Sequence, residues 1–86
     1  MSGITWDQIS EAGIDTSLVE FSENTDLYTL TRPSGGRVVF GDCEGTDDIP
    51  AGGYDLAVYD DEDAVERQEY AETVPGILKI VAGYQS

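Results

Sequence analysis

The sequence predicts an α+β fold: one small domain over residues 1–86, with a mostly antiparallel sheet of about five strands and two short helices. Three observations point there. Runs rich in β-formers alternate with turn sequences through residues 18–41. Capping patterns for helices stand at Thr5 and at Asp60 or Asp61. A final apolar run, Ile77 to Ala82, has the length of a strand. The expected order is α-β-β-β-β-α-β.

Thr5-Trp6-Asp7-Gln8 fits a capping box, with Thr5 as N-cap and Gln8 at the third helical position. Ile4 and Ile9 have the spacing of a hydrophobic staple, and Gly13 supplies a left-handed stop. A helix over residues 5–12 follows, with Trp6 and Ile9 turned to the core. Leu18–Ser22, Asp26–Arg32 and Arg37–Gly41 then read as three strands of an antiparallel meander. A hairpin is expected at Pro33-Ser34-Gly35-Gly36, where proline presets φ and glycine allows it to be positive.

Asp42 to Gly53 has no apolar period and reads as a loop. Tyr54–Tyr59 alternates, with Leu56 and Val58 on one side. Asp60 or Asp61 then reads as the cap of a second helix, with Glu62 and Asp63 in its first turn. Ala64, Val65, Gln68 and Ala71 would form its weak apolar stripe. Val74-Pro75 ends it, because the residue before proline disfavours helical geometry. Ile77–Ala82 completes the sheet, inserted either as a right-handed crossover or antiparallel.

Charge bounds the function. Four bases stand against eighteen acids, a net charge of −14. Such a surface repels nucleic acid and anionic lipid and attracts basic protein. No apolar run is long enough to span a bilayer, and the start of the chain lacks the form of a signal peptide. With a single cysteine as well, a cytoplasmic location is expected, the host cytoplasm if the chain is phage-encoded. Cys43 sits between Asp42 and Glu44, and negative neighbours disfavour its thiolate.

Catalytic signatures are missing. With no histidine there is no Ser-His-Asp or Cys-His set and no histidine metal site. The glycines form no nucleotide-binding fingerprint. Lys79 reads as a solvent-facing residue of its strand. A calcium loop counted from Asp61 fails where Val65 and Glu66 fall at positions five and six, the latter needing glycine. No enzyme activity and no cofactor or metal are expected.

The acids cluster. Asp42 to Glu72 holds twelve of the eighteen, with Arg67 as the only base. One explanation is solvation, as on halophilic surfaces. The other is mimicry, in which carboxylates one helical turn apart imitate a nucleic acid backbone and fill a basic groove. Small acidic chains of this build are common among phage inhibitors of host defence, such as anti-CRISPR and anti-restriction proteins. The expected function is therefore a non-enzymatic inhibitor that blocks a basic, nucleic-acid-handling protein with a carboxylate ridge. Its contact residues would be Asp60, Asp61, Glu62, Asp63, Glu66, Glu69 and Glu72, with Tyr59 and Tyr70 as anchors. The alternative is a halophilic or phage structural module with a generally acidic surface, able to form a homodimer.

Overall fold

The computed structural model describes residues 3–42 and 52–85. Val19–Ser22 (β1), Leu27–Thr31 (β2) and Arg37–Asp42 (β3) form the expected meander. Tyr54–Tyr59 (β4) and Val65–Ala71 (β5) extend it, so five antiparallel strands lie side by side in chain order. Most of the loop expected over Asp42–Gly53, including Cys43, lies outside the described residues.

Alternation along the strands builds the core. Tyr28, Leu30, Val38, Phe40, Leu56 and Val58 are buried on one face. Directly paired residues share a face, so Leu30, Val38 and Val58 line up across three strands. Trp6–Glu11 (α1) and Val74–Gly83 (α2) pack onto that face through Ile9, Ile77, Leu78 and Val81. The opposite face carries no helix among the described residues.

The α+β class, the five strands and the two helices match expectation, but the last two elements are exchanged. The stretch expected to be the second helix is β5, and the stretch expected to be the last strand is α2. The chain is therefore ordered α-β-β-β-β-β-α. Each exchange has a cause. Asp60 caps no helix: its carboxylate accepts from the backbone N–H groups of Glu62 and Ala64, both at 2.9 Å, inside a tight turn. Instead of continuing as a helix, the chain reverses: Asp60 N–H donates to the Ala64 carbonyl and Asp63 N–H to the Asp60 carbonyl. The same two-bond pattern closes the Arg32–Gly36 hairpin. Gly35 takes the positive φ there, 111°, and Asp63 takes it here, 67°. An aspartate in the place that usually signals glycine hides the hairpin.

In α2, Thr73 is the N-cap, its hydroxyl accepting from Gly76 N–H at 3.1 Å, and Pro75 lies in the first turn. Val74, Ile77, Leu78 and Val81 are buried at helical spacing, a stripe that the β-branched composition obscured. Lys79 is exposed on this helix and not on a strand.

The capping box of α1 is formed as expected, and Gly13 has φ 85°. Trp6 is a correction: it is 43% exposed, with its ring edge-on to that of Tyr28 at 5.3 Å. Tyr28 holds the N-terminal segment by donating to the Ile4 carbonyl at 2.9 Å. Burial, with the charges of Asp26 and Asp42 nearby, raises its phenol pKa.

Candidate partner-binding surface

With β5 a strand, the acids expected on one helical face are redistributed. Asp61, Glu62 and Asp63 are exposed on the β4–β5 turn, with Asp60 half-buried at its base. The turn is braced by an ion pair and hydrogen bond between Arg37 and Asp63. The Arg37 guanidinium also stacks on the ring of Tyr59, 4.2 Å from its centroid.

Strand β5 forms one edge of the sheet, so its side chains alternate between two faces. Glu69 is opposite buried Leu56, on the helix-bearing face, and its carboxylate accepts from the Tyr84 hydroxyl at 2.8 Å. Gln68 and Tyr70 are opposite Ala57 and Asp55, on the open face. Glu66 falls at a bulge between these registers and lies 3.8 Å from Arg32. Glu72 is exposed beyond the strand end.

A single ridge of seven carboxylates is therefore not what these residues make. Asp60 to Asp63 are brought together at the tip of the hairpin, beside Tyr59. Glu66 stands at the bulge beside Arg32, Glu69 is bonded to Tyr84, and Glu72 lies past the far end of the edge. Two acids are matched by arginines, Asp63 by Arg37 and Glu66 by Arg32. Edge position supplies a structural role as well, since charged side chains on an edge strand oppose pairing with another chain.

The open face forms a shallow groove of about 520 Å³, lined by Leu27, Val39, Asp55, Ala57, Tyr59 and Tyr70 among others. Cross-strand register explains its shape. Leu27, Gly41, Asp55 and Tyr70 form one row across four strands, and Thr29, Val39, Ala57 and Gln68 the next. Small residues at Gly41, Val39 and Ala57 leave a trough between Leu27 and the tyrosines. A Cβ at Gly41 would come within 2.6 Å of the Leu27 side chain, so glycine lets Leu27 lie against β3. The Tyr70 ring rests against Gly53, where any Cβ would strike it.

Asp55 stands in this trough. Burial raises its pKa, opposed in part by a hydrogen bond from its own backbone N–H. No ion pair joins it among the described residues. Sequence reading passed over Asp55, Leu27 and Val39. The period-two alternation of Tyr54–Tyr59 was visible, but not which of its faces the helices would leave bare.

A second groove of about 420 Å³ runs between the helices, lined by Gln8, Glu11, Ala12, Val74, Leu78 and Lys79 among others. Among the described residues no three acids or cysteines converge as a metal site. No described helix is long and apolar enough to cross a membrane.

No protein family, characterised protein or solved structure gives a significant match to this chain.

Proposed function

We propose that the protein is a non-enzymatic acidic binding protein that blocks a basic, nucleic-acid-handling protein, as phage inhibitors of host defence systems do. The observation that carries this reading is the hairpin tip: four consecutive acids, Asp60 to Asp63, beside Tyr59 on a chain of net charge −14. A projecting anionic tip suits insertion into a basic cleft, with fast, salt-sensitive association. The negative charge is then offered as a tip and a flanking edge, not as the evenly spaced helical row expected from sequence.

The test is capture of a partner from the source cell's lysate at low salt, followed by release with duplex DNA. Asp61→Lys combined with Glu62→Lys is the deciding variant, because among the described residues neither side chain makes a hydrogen bond or ion pair that supports the fold. Loss of capture with unchanged circular dichroism is expected. Undiminished capture, or a complex indifferent to DNA, would remove the mimicry reading. A second reading, that the acids only guard an exposed edge, is favoured by the position of β5. It predicts that the same variant, whose substitutions lie on the turn and not on the edge strand, captures the same proteins as the wild type.

A further inference from the structure

The groove on the open face can be assigned an occupant. We propose that it is the docking site for an arginine-bearing polypeptide segment of the basic partner, whose guanidinium stacks on Tyr70 and pairs with the Asp55 carboxylate. This rests on the preceding reading in one respect only, that the partner is basic.

Four observations converge. The trough is apolar along Leu27, Val39 and Ala57, so it suits the side chains and stem of a polypeptide more than a free ion. Its acid, Asp55, is half-buried and has no ion pair among the described residues, and cross-strand pairing puts Tyr70 directly beside it. The same face already binds one guanidinium: Arg37 stacks on Tyr59 while pairing with Asp63. Tyr70 and Asp55 repeat that combination of ring and carboxylate, with no cation over the Tyr70 ring among the described residues. Charge settles the remaining choice of occupant, because at −14 per chain a second copy or an anionic ligand would meet repulsion on this face. Arginine fits better than lysine, since its planar fork stacks on a ring and bonds a carboxylate together.

The probe is a blocked peptide alternating leucine and arginine, titrated into the full chain and followed by backbone and methyl NMR. Saturable shifts confined to Val39, Asp55, Ala57, Tyr70 and their neighbours are expected. Replacing the peptide's arginines with citrulline, or making Asp55→Asn, should each weaken binding about tenfold or more, as loss of a charge-assisted bond requires. Asp55→Asn keeps the shape of the side chain, and Tyr70→Leu provides a second variant, expected to weaken binding several-fold. Non-saturating shifts spread over all the acids, equal binding of citrulline peptide, or wild-type affinity in Asp55→Asn would overturn the assignment. So would a dimer in sedimentation whose contact covers this face. The two proposals fail separately. If Asp61→Lys with Glu62→Lys abolishes partner capture while Asp55→Asn changes nothing, the tip stands and the groove falls. The reverse pattern removes the tip and keeps the groove.

Discussion

Asp55 and Asp15 illustrate opposite uses of a carboxylate. Asp15 caps the short 3-10 turn Thr16–Leu18, and hydrogen bonds from the Ser17 hydroxyl and backbone N–H lower its pKa. Its stabilising share is thus present above the unfolded carboxyl value and lost as pH falls through the lowered folded one. Asp55 runs the other way. Its folded pKa lies above the unfolded value, near 3.8, because burial disfavours the anion. It weakens the fold once pH exceeds the folded value, and that penalty vanishes below the unfolded one. Asp55→Asn should therefore raise the melting temperature at neutral pH. The gain should shrink to nothing as pH is lowered through the folded pKa towards 3.8. Thermal melts across this range check it, and a constant offset at every pH would refute the assignment to ionisation. Thr5 was readable from sequence because its capping-box partner, Gln8, lies three residues away and both bonds are local. Asp55 was not, since its meaning comes from Gly41 and Tyr70 on other strands.

Two elements carry the misreadings. Val65–Ala71 holds Glu, Arg, Gln and Ala, which favour helix, yet it is a strand because its backbone completes the ladder of β4. Val74–Gly83 is rich in β-branched residues, yet it is a helix because its apolar positions fall on one stripe over the sheet. Both were decided by partners outside the element, the neighbouring hairpin strand for β5 and the sheet core for α2, which outweigh propensities of a few tenths of a kcal/mol per residue. The signals that could have corrected the reading were Thr73 with Pro75 and the spacing of Val74, Ile77, Leu78 and Val81. As an edge, β5 exposes Val65 at 51%, next to Glu66. Glu66→Val combined with Glu69→Val would remove both acids from the strand and raise its apolar, β-forming content, and should drive concentration-dependent association. Light scattering measures it. A variant that stays monomeric would deprive the edge-guarding role of support.

Across the whole molecule, charge works against compactness. Arg32 and Arg37 each sit beside an acid, but two such pairs leave most of the excess unbalanced. Self-repulsion should therefore lower stability at low ionic strength. Raising NaCl from about 10 mM to 0.5 M shortens the screening length several-fold and should lift the melting temperature by several degrees. A flat profile would mean that the acids stand too far apart for their repulsion to weigh on folding.

By itself the sequence determined the local features: the capping box at Thr5, the hairpin at Pro33–Gly36, the meander of alternating strands and the acidic balance. Each depends on residues within a few positions of one another, or on composition alone. Only the tertiary structure decided that residues 65–71 form an edge strand and 74–83 a helix, and that the acids divide between a hairpin tip and two sheet faces. It also decided that, among the described residues, both helices pack on the other sheet face and none lies over Asp55. The physical reason is that register and layer packing join residues far apart in the chain. A carboxylate's role therefore follows from its neighbours across the sheet.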